Sequence, residues 1–346
     1  MLLPRKTLRT PADLAESGLI AASDVAPLGN VAERYAIAIT PTVADLIDPQ
    51  NSNDPIARQF VPNIAELRTL PHERADPIGD ERHSPVPGIV HRYPDRVLFK
   101  ITHLCPVYCR FCFRRESVGP GKSDALSAEN IDAALNYIAA HSEIWEVILT
   151  GGDPLVLSPK RLNRTLARLA EFSHVKILRW HTRVPVVDPA AISDELVRVM
   201  KSTGKTNYVV LHANHPRELS DDARRACARL IEAGIPMLSQ SVLLRGVNDN
   251  IETLEALMRA LVETRIKPYY FHHLDPAPGT EEFRVPIATG QALMRELHAR
   301  GSGLCQPDYV VDIPGGYAKA RLREADIDEA SRLRDAEGAW HDYRGA

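Results

Sequence analysis

From Val97 onward, short apolar runs rich in β-forming residues alternate with longer amphipathic stretches. The runs cover 97–102, 146–150, 176–181, 207–212, 236–243 and 268–272, each followed by a polar or glycine-bearing turn, and they predict six strands. Helical spacing between them predicts helices over 128–140, 159–172, 189–203, 220–233 and 250–264, with Pro or Ser near several starts and Gly after some ends. Strand and helix alternating in this way predict an α/β fold with a parallel sheet of six βα units, an open or partial barrel. The first 85 residues read differently. They are rich in Pro, Asp and Arg, carry helical pieces such as Ala12-Asp-Leu-Ala-Glu and Val43-Ala-Asp-Leu-Ile, and show no sustained strand pattern. The expected organisation is a mainly helical accessory region over 1–85, a barrel core over 86–304 and a C-terminal segment over 305–346.

In barrels of this kind chemistry sits at the C-terminal ends of the strands. The polar motifs fall there. Three cysteines follow the first strand, Gly151-Gly152-Asp153-Pro154 the second, His181-Thr182-Arg183 the third, a stretch from His212 to Glu218 the fourth, and Asp275 the sixth.

Composition narrows the class. The chain has 346 residues, 42 basic against 45 acidic, and a formal net charge of -3, so no global signature of nucleic-acid binding is present. No run approaches the ~20 apolar residues of a membrane span. Five cysteines are an odd number and three of them lie within eight residues, which fits a reducing interior better than a disulfide framework. The expectation is a cytoplasmic protein with a small-molecule substrate and neither a nucleic-acid nor a membrane partner.

The spacing Cys105-x-x-x-Cys109-x-x-Cys112 places three thiols in one loop directly after a strand. Three thiolates hold three corners of a cubane iron–sulfur cluster and leave the fourth iron open to a small chelating molecule. A structural zinc site is the alternative, but it would need a fourth Cys or His at recognisable spacing. Cys227 and Cys305 are remote in sequence and read as ordinary core or surface residues. Gly-Gly-Asp-Pro in isolation reads as a turn. Adjacent glycines after a strand also let backbone approach a ligand closely, and Asp153 supplies an acceptor for an ammonium.

On the cysteine loop, Phe111 before its last cysteine and the glycine motif, the chain resembles the radical S-adenosylmethionine superfamily with its partial (β/α)6 barrel. The resemblance narrows to the lysine 2,3-aminomutase family over about residues 84–320, through His91-Arg-Tyr-Pro-Asp-Arg96, Cys112-Phe-Arg-Arg115, Asn214-His-Pro-Arg-Glu218, Gln240-Ser-Val-Leu-Leu, Lys267-Pro-Tyr-Tyr and Asp312-Ile-Pro-Gly-Gly-Tyr-Ala-Lys319. It implies a [4Fe–4S] cluster on Cys105, Cys109 and Cys112, S-adenosylmethionine beside Gly151, Gly152 and Asp153, and pyridoxal 5′-phosphate on Lys319. It assigns Arg92 and Arg96 to the cofactor phosphate, and His215 and Gln240 to cofactor binding. Arg114 is the expected partner of the substrate α-carboxylate, and Asp275 with Asp312 the expected grip on the distal ammonium of L-lysine. The implied reaction is an isomerisation in which the 2-amino group of lysine moves to carbon 3. A flavodoxin- or ferredoxin-type reductant and an assembly of two or four copies belong to the same expectation.

The chain departs from the longer aminomutases at several points. Only 27 residues follow Lys319 and none is Cys, so the zinc site those enzymes share between subunits is not expected. His272 stands where they carry a tyrosine, and Tyr317-Ala318 replaces two of a run of glycines. Its length and the stretch Tyr-Phe-His-His-Leu-Asp275 also resemble the branch that makes β-lysine for attachment to translation elongation factor P. An aminomutase for another amino acid is the remaining alternative.

Overall fold

A computed structural model describes residues 6–119, 126–322, 332–334 and 339–342, so the C-terminal division over 305–346 lies partly outside the described residues. The main sheet runs in sequence order, β1 (Ile89–Tyr93), β2 (Arg96–Thr102), β3 (Glu146–Gly151), β4 (Ile177–Thr182), β5 (Thr206–His212), β6 (Met237–Val242), β7 (Ile266–His272), β8 (Asp308–Asp312) and β9 (Lys319–Arg321). Strands β2 to β8 are parallel, and β1 and β9 close the two edges antiparallel. Every strand predicted from the apolar runs is present, in a curled, partial-barrel sheet.

Three strands of this sheet escaped the pattern. β1, β8 and β9 are 5, 5 and 3 residues long, too short for a period of two to stand out, and their hydrogen-bond partners come from distant chain. β8 extends the parallel run beyond the predicted sixth strand by pairing Tyr270 with Asp308 and His272 with Val310.

Helices fill the connections and pack on the convex face. Leu135, Ile138, Leu162, Leu166, Leu254 and Leu261 from helices join Val147, Leu149, Leu178, Trp180, Leu211 and Phe271 from strands in one core. Their starts are set locally: Ser127, Ser158, Ser220 and Asn250 each accept a hydrogen bond from the backbone three residues on, a cap worth about 1 kcal/mol. The helix predicted over 189–203 is in fact two pieces, a 3-10 turn at Pro189–Ala191 and a helix at Asp194–Lys201. Ser193 accepts from the Leu196 amide, so its side chain starts a new helix inside the predicted one.

The N-terminal region contains only short helices, Pro11–Glu16, Val25–Arg34, Pro41–Leu46 and Ala57–Phe60. Leu14, Ile39, Val43, Ile56 and Phe60 from it are fully buried in the same core as the strands. It therefore packs as part of the barrel's outer wall. Its polar groups reach the cysteine loop: Gln59 accepts through its backbone carbonyl from the Arg110 amide, and Glu66 receives Arg110 and Arg115 in a buried cluster.

Candidate active site

Alternation along the strands separates two faces. Leu178 and Trp180 on β4, Val147 and Leu149 on β3 and Phe271 on β7 enter the core, and the residues between them turn inward. Glu146, Thr150, Arg179, His181, Gln240 and His272 thus line one cavity of about 1110 Å³. Ligand pockets commonly measure ~300–1,000 Å³, so this one has room for more than one small molecule.

The cavity runs the length of the strands. Cys105, Cys109 and Cys112 stand after the C-terminal end of β2, while Arg96 opens β2 beside Glu146, the first residue of β3. Six residue steps at ~3.3 Å put these two ends roughly 20 Å apart along the strand. The site is thus wider than the C-terminal rim that barrel logic predicts.

At the cysteine end the three thiols lie close enough to act on one another. Burial pushes the Cys112 thiol up to about 11, with Cys109 adding to the effect, and Cys105 is raised further by burial, Asp153 and the other two thiols. Such a trio ionises only beside a cation, and thiolate is the form that binds iron. Arg183 Nη1 donates to Cys109 Sγ at 3.1 Å, while its Nη2 reaches Glu218 Oε2 at 2.5 Å and Gln59 Oε1 at 2.6 Å. This guanidinium ties the cysteine loop to β4 and to the N-terminal region.

Gly151 and Gly152 fit against that same loop. A Cβ on Gly151 would stand 2.2 Å from the Thr102 carbonyl oxygen, and one on Gly152 2.1 Å from that of Leu104. Gly151 also has a φ of +127°, a conformation other residues rarely adopt. Asp153 is buried and accepts from Thr182 Oγ1 at 2.8 Å and from the Arg183 and Leu155 amides at 2.7 and 3.0 Å. Burial raises its pKa, and those donors oppose the rise.

A charged chain runs from the C-terminal end of β8. Asp312 on β8 and Lys319 on β9 are direct cross-strand partners, and Lys319 Nζ bonds Asp312 Oδ2. Arg92 Nη1 donates to Asp312 Oδ1 at 3.0 Å and its Nη2 to the Ile78 carbonyl at 2.5 Å. Arg114 meets Asp80 Oδ2 through Nε at 3.0 Å and Nη2 at 2.8 Å. Burial raises the Asp80 carboxyl, but Arg114, Lys100 and Arg92 together bring it below its ordinary value. Asp80 joins the two arginines through these contacts, the second with Arg92 at 3.8 Å.

Asp275 differs from its neighbours. It is buried, lines the cavity and has no side-chain hydrogen-bond partner among the described residues. Burial first, and Asp312 second, push its carboxyl up to about 7. His181, His212 and His272 are held well below the ordinary imidazole range, chiefly by burial, and are neutral. His181 Nε2 is buried with no partner among the described residues.

The structure brings Cys105, Cys109, Cys112, Arg92, Arg96, Arg114, Gly151, Gly152, Asp153, Gln240, Asp275, Asp312 and Lys319 to the wall of this one cavity. It does not bring His215 there: its Nδ1 accepts from the Arg217 amide at 3.2 Å and caps the turn Pro216–Glu218. Sequence reading passed over Asp80, Arg179 and Arg183 as site residues. Arg183 was visible in the polar motif after β4. Asp80 lay in a region read as accessory, and Arg179 looked like one polar residue within a strand.

The Radical SAM superfamily model matches residues 99–260. L-lysine 2,3-aminomutase of Acetoanaerobium sticklandii is 44% identical over 283 residues, which cover 82% of this chain and 68% of that protein. This chain belongs to the lysine 2,3-aminomutase family. The enzyme of that name from Clostridium subterminale is 42% identical over the same shares, and glutamate 2,3-aminomutase of Clostridioides difficile is 36% identical over 84% of this chain and 68% of its own length.

The family is an isomerase family using a [4Fe–4S] cluster, S-adenosylmethionine and pyridoxal 5′-phosphate, and the residues of this aminomutase-family chain fit those groups. Three mutually close thiols suit three irons. Arg92 Nε and Arg179 Nε are buried without partners among the described residues, donors suited to an anion such as a phosphate. Lys319 presents a primary amine to the cavity, 5.9 Å from the Tyr270 ring centroid.

Proposed function

We propose that this chain is an L-lysine 2,3-aminomutase, converting L-lysine to β-lysine by moving the amino group from carbon 2 to carbon 3. The observation that carries the substrate is Asp275, a buried carboxyl whose side chain has no hydrogen-bond partner among the described residues, beside a second carboxylate, Asp312, in a cavity that also holds Arg114. A molecule with a carboxylate at one end and an ammonium at the other matches that distribution. Glutamate would bring its distal carboxylate against Asp275 and Asp312, and like-charge repulsion would reject it.

When bound, the cluster with S-adenosylmethionine supplies a carbon radical that removes hydrogen from the substrate, and pyridoxal phosphate supplies the aldehyde that carries nitrogen between carbons. The protein's part is placement. Cys105, Cys109 and Cys112 hold iron at one end, with Arg183 donating to the Cys109 sulfur. Arg92 and Arg96 hold the cofactor phosphate, Gly151, Gly152, Asp153 and Gln240 the adenosylmethionine, and Lys319 the aldehyde. Arg114 keeps the substrate carboxylate toward the cysteine loop, with Asp80 fixing its guanidinium. Asp275 and Asp312 hold the distal ammonium, offsetting the loss of its water shell. The neutral imidazoles of His181, His212 and His272 face the cavity without adding charge.

A flavodoxin- or ferredoxin-type protein as electron donor, a cytoplasmic location and a homodimer or homotetramer complete the reading. The product's destination, as free β-lysine or as a modification of elongation factor P, lies outside the chemistry of this cavity. The test is anaerobic reconstitution with iron, sulfide and pyridoxal phosphate, then dithionite, S-adenosylmethionine and L-lysine, with mass spectrometry for β-lysine. Product formed by the wild type and lost in Cys109→Ala and Lys319→Ala supports the reading; 5′-deoxyadenosine without β-lysine refutes the substrate.

A further inference from the structure

Two carboxylates form the cation end of the cavity, and they are not equivalent. The Asp275 side chain has no hydrogen-bond partner among the described residues. Asp312 has both oxygens engaged: Arg92 Nη1 stands 3.0 Å from Oδ1, and Lys319 Nζ bonds Oδ2. One side of the cation site is thus filled by a cation from the protein's own chain.

We propose that Lys319 is the placeholder for the substrate's distal ammonium: in the cofactor-free chain its ammonium occupies Asp312, and the site opens to substrate only when the Lys319 amine leaves for the cofactor. The inference rests on the reading above of Asp275 and Asp312 as the ammonium site.

The backbone favours this exchange. Lys319 lies opposite Asp312 in the β8–β9 register, and its amide donates to Tyr93 Oη at 3.1 Å. The loop before it is clamped, since His83 Nε2 meets the Gly316 carbonyl at 2.7 Å and Arg82 reaches that of Gly315 at 3.2 Å. A Cβ on Gly79 would stand 2.6 Å from the Gly316 nitrogen, so this contact leaves no slack. With the backbone held, the amine moves by rotation of its four-carbon side chain, which is 30% exposed and has room to swing. In condensing with the cofactor aldehyde, the nitrogen forms a bond to the aldehyde carbon, and the aldehyde oxygen leaves as water with two of the three ammonium protons. The nitrogen then carries one N–H on a rigid group in place of a free ammonium, and Asp312 Oδ2 is released.

The consequence is an order of assembly. Lysine arriving before the cofactor meets Lys319 as a competing cation, whereas lysine arriving afterwards finds the Asp275 carboxyl and Asp312 Oδ2 open, with Arg92 still on Asp312 Oδ1. Substrate and cofactor binding are coupled through a contact that only one of them can break.

The test is equilibrium dialysis of L-lysine and of 6-aminohexanoate, which lacks the α-amino group, against cluster-loaded protein stripped of pyridoxal phosphate. Lys319→Met should bind both at least tenfold more tightly than wild type, and Lys319→Arg, which keeps a cation there, should bind as weakly as wild type. Adding Asp312→Asn to Lys319→Met should abolish the gain. Lys319→Ala, checked for folding by circular dichroism, must repeat the Lys319→Met result. Equal affinity of wild type and Lys319→Met, or a gain that survives Asp312→Asn, overturns the proposal. Failure of loaded wild type to make β-lysine would instead overturn the assigned reaction, independently of these affinities.

Discussion

Asp275→Asn separates the stability of the fold from its function. In the ligand-free chain the Asp275 carboxyl is pushed from the ordinary 3.8 to about 7 by burial and by Asp312. Each pH unit between those values corresponds to about 1.4 kcal/mol, so keeping this group ionised in the folded chain costs roughly 4 kcal/mol, an order-of-magnitude figure. The sign follows from proton binding: the folded chain holds a proton that the unfolded chain releases, so this stabilisation is present below about pH 4 and lost as pH rises through about 7. Asparagine is neutral throughout. The variant should therefore match wild type in thermal stability below about pH 4 and exceed it by several degrees at pH 8, as read by scanning calorimetry of the cofactor-free protein. Its affinity for L-lysine should fall at least tenfold at pH 8, because an uncharged amide replaces a carboxylate beside the ammonium. Wild-type affinity should itself rise with pH through about 7, as Asp275 loses its proton. A variant less stable than wild type at both pH values, or one that binds lysine undiminished, would refute the reasoning.

Gly152→Ala places a methyl group 2.1 Å from the Leu104 carbonyl oxygen, against backbone that cannot turn aside. Displacement of the cysteine loop should cut bound iron after reconstitution by more than half, measured by iron analysis and cluster absorbance. Arg183→Met leaves Glu218 and Gln59 buried without their cation and Cys109 without its donor. Loss of one partner from a buried pair typically costs about 3–5 kcal/mol, which urea denaturation of the cluster-free protein will read. Glu66→Gln, by leaving Arg110 and Arg115 without a carboxylate in the wall behind the cysteines, should destabilise to a similar degree by the same measurement.

The strongest signals in the sequence were local ones. The period of two in β2 to β7, the Ser and Asn caps before the helices and the cysteine spacing each arise within one short stretch of chain, so they could be read without knowing what packs against it. The partial barrel and the three thiols were legible for that reason. β1, β8 and β9 were not, because a three- to five-residue strand is defined by its partner. The helix predicted over 189–203 divided at Ser193 because one side-chain cap outweighed the continuous apolar period. Tertiary structure alone decided that Lys319 faces Asp312, that Asp80 links Arg92 to Arg114, and that the Asp275 side chain has no hydrogen-bond partner among the described residues. Other contacts around the site join far more distant positions, as in the pairing of Arg82 with Gly315 across 233 and of Arg92 with Asp312 across 220. The sequence by itself determined which chemical groups the chain carries and on which elements; burial and neighbouring charge, which exist only once the sheet has curled, decided which carboxylate is open, which is filled and which imidazoles are neutral.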